Sequence, residues 1–123
     1  MNLLQAYIDG WRSHDVPAVL ATLAEDCVVI ESYGPVYRGH ARVRQWMETW
    51  LAAGGAVLAW EITSSAEADG VLTTEWTFSC RWQGDTATFG GATVARRHEG
   101  GLVYLREYAT TADLYEWTGT WRR

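Results

Sequence analysis

Residues 27–40 read CVVIESYGPVYRGH, and the parsing of this stretch decides the fold. Val28, Val29 and Ile30 form a short strand apolar on both faces, the mark of a strand buried on both. Alternation puts Glu31 on the face of Cys27 and Val29. The acid therefore either marks the exit of the strand into water or looks into a cavity. Ser32 to Pro35 supply turn residues, and VYRG reads as a short edge strand. Residues 41–52 then give a helix with Val43, Trp46, Met47, Trp50 and Leu51 on one side, stopped by AGGA at residues 53–56.

Upstream, Asn2 can cap a first helix, with Gln5 in the capping-box position and Leu4, Tyr7, Ile8 and Trp11 as its apolar stripe. Asp15 caps a second helix, with Pro17 in its first turn and Val19, Leu20 and Leu23 facing inward. Downstream the apolar period changes from 3.6 to 2. Strands are expected over 57–64, 72–82, 86–97 and 102–110, separated by hairpin signals at Asp69-Gly70, Gln83–Asp85 and Glu99–Gly101. Along 72–82, Leu72, Thr74, Trp76, Phe78, Cys80 and Trp82 share the apolar face. Three helices followed by a meander of long strands is an α+β layout with helices on one face of a sheet.

The 123 residues, 48% apolar and 20% charged, suit one soluble domain spanning 1–123. No apolar run reaches the roughly 18 residues of a membrane span, and no signal peptide is evident, so a cytoplasmic location is expected. A net charge of −5 argues against nucleic-acid binding. All ten basic residues are arginine, which excludes Schiff-base chemistry and a phosphate-loop lysine. Cys27 and Cys80 sit in apolar contexts and read as inert core thiols. His14, His40 and His98 lack metal-ligand spacing, and no serine has the surroundings of a nucleophile elbow. Eight tryptophans suggest an aromatic-lined cavity or a substantial interface.

The order helix, helix, CVVIESYGPVYRG, helix, then four strands closing on VYLREY resembles the nuclear transport factor 2-like superfamily, in particular its SnoaL-like branch. The resemblance implies a cone, an α+β barrel: a strongly curved antiparallel sheet wrapped on three N-terminal helices, with a deep apolar pocket inside. It also implies a homodimer packed through the sheet. Laid on the ketosteroid isomerases of this superfamily, AYIDGWRSHDVPAVLATLAEDCVVIE, residues 6–31, aligns without a gap. Tyr7 then falls on the oxyanion-hole tyrosine and Glu31 on the general-base carboxylate. The penultimate strand departs from that pattern, offering Gly90 and Gly91 where the isomerase carries an acid, and these glycines are expected to widen the cavity.

The candidate catalytic residues are thus Glu31 and Tyr7. Trp11, Tyr33, Trp46, Trp50, Trp76 and Phe78 are candidates for the pocket wall. Arg106 and Glu107 compete for one inward position on the last strand, the other pointing outward. The expected function is a metal-independent, cofactor-free isomerase, cyclase or dehydratase. It would act on an apolar carbonyl compound such as a polyketide, terpenoid or steroid-like molecule, by Glu-mediated proton transfer. The alternative is a non-catalytic ligand-binding or dimeric interaction module.

Overall fold

The computed structural model describes residues 2–122. Helix α1 spans Leu3–Arg12, and Asn2 caps it by accepting from the N–H groups of Leu4 and Gln5. The capping box is not closed, because Gln5 donates forward to Asp9 instead. Helix α2, Val16–Ala21, starts on Asp15, whose carboxylate accepts from the Ala18 N–H. His14 adopts φ 55° in the turn between them, and its Nε2 accepts from the Val57 N–H, tying the turn to the sheet. His40 similarly bonds the Leu23 carbonyl at 2.8 Å.

Six strands form one sheet: β1 Leu23–Ile30, β2 Val36–Arg38, β3 Ala56–Ala68, β4 Val71–Trp82, β5 Asp85–His98 and β6 Gly101–Ala109. Helix α3, Gly39–Ala52, separates β2 from β3. Strand β1 starts four residues before the apolar run that announces it, through a register irregularity between Leu23 and Val28. The order across the sheet is β2-β1-β6-β5-β4-β3. All neighbours are antiparallel except β1 and β6, which run parallel, so the sheet is mixed rather than wholly antiparallel. Its first and last strands, β2 and β3, are not paired, so the sheet does not close as a barrel. Helix α1 packs against both β3 and β6, although β4 and β5 lie between them. Only a sheet curved around the helix can make both contacts. Bulges in β3 between Val57 and Ala59 and between Ile62 and Ser64 help it bend.

Leu4, Ile8, Val19, Leu20, Val29, Val43, Met47, Leu102 and Leu105 form a filled aliphatic core between the helices and one end of the sheet. On β4, exposure alternates from Val71 to Thr77, with Leu72, Thr74 and Trp76 buried. Among the described residues no helix is long and apolar enough to cross a membrane. Residues 110–122 have neither helix nor strand, and Leu114, Trp117 and Trp121 are exposed there.

Candidate functional site

At the other end of the cone the inner face of the sheet is not filled. A cavity of about 640 Å³ lies between α1, α3 and the sheet, within the size range of small-molecule sites. Trp11, Tyr37, Trp46, Trp50, Trp60, Trp76, Phe78, Trp82 and Phe89 give it an aromatic wall. The rings support each other: Tyr37 stacks on Trp46 with centroids 4.1 Å apart, and Trp50 stacks on Trp82 at 6.1 Å. Trp60 meets Trp76 and Phe78 edge to face. Such contacts stiffen a wall made of planar side chains that nothing fills from inside.

The polar end of the cavity is built by β1, β2 and β6. The β1–β2 turn closes by two backbone hydrogen bonds, Glu31 N–H to Pro35 O and Gly34 N–H to Glu31 O. Gly34 sits at φ +110°, which side-chain-bearing residues rarely adopt. The hairpin register pairs Val29 with Tyr37, so Tyr37 lies on the face of Glu31. Its hydroxyl donates to Glu31 Oε1 at 2.9 Å. The parallel register of β1 and β6 pairs Val29 with Leu105 and Ile30 with Arg106, and one further step in the same register sets Glu31 beside Glu107. Both carboxyls line the cavity, and both also border a second, smaller cavity of about 360 Å³ beside the β1–β2 turn.

These surroundings shift the acids. Burial raises the Glu31 carboxyl above the usual carboxylate range, and the hydrogen bond from Tyr37 pulls part of the way back. Glu107 lacks such a donor. Burial first, and the neighbouring Glu31 charge second, push it up to about 8. Two like acids with unequal support divide the roles: near neutral pH Glu107 holds a proton at a pH where Glu31, with its donor, gives one up more readily. Burial and the Glu31 carboxylate likewise drive the Tyr37 phenol upward, so it stays a donor.

The remaining sequence candidates fall into three groups. Trp11, Trp46, Trp50, Trp76 and Phe78 lie on the cavity wall, and Tyr33 stands at the rim, 78% exposed. Of the rival pair on β6, Glu107 faces inward. Arg106 projects to the opposite face, exposed, its guanidinium 4.9 Å from the Tyr108 ring centroid, and so does not line the large cavity. Tyr7 differs from its expected position on the pocket surface. It is buried in the core, packs edge to face on Trp60, and its hydroxyl makes no hydrogen bond of good geometry. Burial first, and then the Glu107 and Glu31 charges, hold its phenol well above the ordinary value.

Gly91 corrects a further expectation. A Cβ there would overlap the Trp76 ring and the Tyr108 carbonyl, so the glycine makes room for the indole and does not enlarge the cavity. Trp76 is anchored over it by its Nε1–H, which donates to Thr93 Oγ1 at 2.8 Å. Tyr37, Trp60, Trp82 and Phe89 belong to the site but are absent from the sequence candidates. Alternation along β3, β4 and β5 would have found the last three. Tyr37 follows once Ile30 is paired with Val36 across the turn.

A cone of curved sheet on helices, with an aromatic cavity ending on two carboxyls, has the nuclear transport factor 2-like fold. The SnoaL-like domain family matches residues 4–105, and the chain belongs to it. No curated protein matches the chain in sequence. Among solved structures, a protein of Catenulispora acidiphila DSM 44928 with a ketosteroid isomerase-like fold, in complex with trimethylamine, is similar with a TM-score of 0.77 at 16% identity, covering 89% of this chain and 86% of that one. An LEH-like epoxide hydrolase of M. tuberculosis is similar with a TM-score of 0.78 at 18% identity, covering 88% and 80%. TerC, co-crystallised with polyporic acid, is similar with a TM-score of 0.74 at 16% identity, covering 89% of each chain.

Proposed function

We propose that the protein is a cofactor-free acid–base enzyme of the SnoaL-like family, acting on a flat, mostly apolar carbonyl compound held in the aromatic cavity. The observation that carries this reading is the pairing of Glu31 and Glu107 at the cavity end, with unequal hydrogen-bond support. Glu31, as carboxylate, takes a proton from the carbon next to the carbonyl. The C–H pair becomes a C–C π bond, the carbonyl π pair moves onto the oxygen, and the protonated Glu107 donates a hydrogen bond to that oxygen as charge develops. Glu31 then returns its proton to another carbon, which completes an isomerisation, or the enolate carbon attacks a second carbonyl of the same molecule, whose π pair moves onto its oxygen and takes the proton that Glu31 holds, which closes a ring. Tyr37 positions Glu31, and Tyr7 supports the wall behind the pair. The second carboxyl, missing from the penultimate strand, comes from the last strand instead.

The test is deuterium exchange at the carbons flanking the carbonyl of 2-tetralone, followed by proton NMR. Wild-type protein accelerates exchange, and Glu31→Gln lowers the rate by about 10²–10⁴-fold. Exchange that survives Glu31→Gln overturns the assignment. If 2-tetralone raises Tm in both proteins without exchange in either, the chain is a binding module. We also infer a homodimer through the outer face of the sheet, where Val28, Val94 and Tyr104 are only partly exposed. A monomeric mass by sedimentation at micromolar concentration contradicts that inference.

A further inference from the structure

Once both acids at the end of the cavity are ionised, no cation among the described residues balances them there. Glu31 receives one hydrogen bond, from the neutral Tyr37, and among the described residues Glu107 receives none. The ion pairs Arg12–Asp9, Arg44–Glu48 and Arg97–Glu67 all lie on the surface and leave both acids out. Arg42 is the one cation lining the cavity among the described residues, and its guanidinium is engaged with Gln45 at an exposed position. Arg106, next to Glu107 in sequence, is exposed over the Tyr108 ring; it borders the smaller cavity beside both acids but not the large one, and among the described residues it makes no ion pair with either.

The other titratable groups around the pair supply no positive charge. They are Tyr37 on β2, Tyr7 on α1, Cys27 on β1 and, elsewhere on the cavity wall, Cys80 on β4, all neutral acids held above their ordinary values by burial. Negative charge enclosed by apolar walls is costly unless paired. The walls are also ring systems, whose faces attract cations. A neutral ligand leaves Glu31 free to act as a base, whereas a cationic one pairs with the ionised acids and is held more tightly.

We propose that, once both acids are ionised, the cavity also takes a second class of ligand carrying a protonated or quaternary amine, its nitrogen at Glu31 and Glu107 beside Tyr37 and its apolar body along the indoles toward Trp50 and Trp82. This rests on the reading of the cavity as a small-molecule site, and not on proton transfer. The nitrogen takes the place that an arginine or lysine would fill in a self-sufficient protein. The body needs no directed polar contact, since the outer part of the wall is aromatic.

The test compares benzyltrimethylammonium with its uncharged carbon isostere, neopentylbenzene, by quenching of tryptophan fluorescence. At pH 8.5 the cation is expected to bind at least tenfold more tightly. That preference should fall toward unity in the double variant Glu31→Gln/Glu107→Gln, with near-ultraviolet circular dichroism reporting the aromatic packing. A cation favours the ionised acids, so its affinity for wild-type protein should rise from pH 6 to 9, through the range in which Glu107 loses its proton. The isostere should show no such rise. If the double variant does not fold, the wild-type pH series and the isostere ratio decide. Equal or tighter binding of neopentylbenzene, or a cation affinity flat with pH, overturns the proposal and leaves the small-molecule reading intact. Binding of neither probe at millimolar concentration also overturns it, and exchange of 2-tetralone then shows independently whether the cavity still acts on a neutral ligand.

Discussion

Leu105 and Glu107 are two residues apart on the inner face of β6, yet they belong to different materials. Leu105 is fully buried in the aliphatic core with Ile8, Val29 and Leu102. Glu107 faces a cavity bounded by rings. Branched aliphatic side chains interdigitate and leave no void. Planar rings braced edge to face and in stacks can stand as a wall without filling the space they enclose. One strand thereby carries part of the filled core at one end and an acid of the cavity at the other.

This division is broken most strongly from the aliphatic side. Leu105→Ala should cost about 2–5 kcal/mol in denaturant unfolding, whereas Trp82→Ala, at the partly exposed rim, should cost far less and weaken ligand binding instead. Equal losses would erase the distinction. Gly91→Ala probes the boundary itself. Its methyl group would meet Trp76 and the Tyr108 carbonyl, and a loss of about 1–3 kcal/mol is expected from overpacking. A neutral or stabilising result would show that Trp76 is not confined there.

The sequence made most of the first region legible and only part of the second. The caps at Asn2 and Asp15, the stripe of α1 and the alternation of β4 each announce their element through local chemistry. The parallel pairing of β1 with β6 does not, because it joins residues far apart in the chain. Glu31 stood out as an acid ending an apolar strand. Glu107 could not be separated from Arg106, since both neighbours on β6 are charged and either could face inward by alternation. Tyr7 shows the opposite difficulty. An apolar helical stripe says that a side chain is inside, but not whether inside means core or cavity.

The acids offer smaller and sharper tests. Glu107 has its pKa raised on folding, so the native state binds more protons than the unfolded chain between about 4.5 and 8. Its contribution to stability is therefore lost as pH rises through that window, and levels off above it. Glu107→Gln removes the charge that must be buried. Its Tm should exceed that of wild type at pH 9, by a difference worth roughly 1–2 kcal/mol, and match it near pH 5. A pH-independent difference would mean that Glu107 is solvated. Smaller still, Tyr37→Phe removes the donor that holds Glu31 down, so the acid limb of the pH–rate profile should move upward. A downward shift would mean that the phenol supports the protonated form instead.

The central claim is that two neighbouring carboxyls are pushed apart in acidity at the end of an aromatic cavity. Carbon-13 NMR of glutamate-labelled protein, assigned with Glu31→Gln and Glu107→Gln, tests it most directly. The account predicts two displaced titrations, Glu107 last, near pH 8, and Glu31 below it but above the ordinary glutamate value. Both carboxyls titrating together near about 4.3 would contradict it, because that is the behaviour of acids open to water.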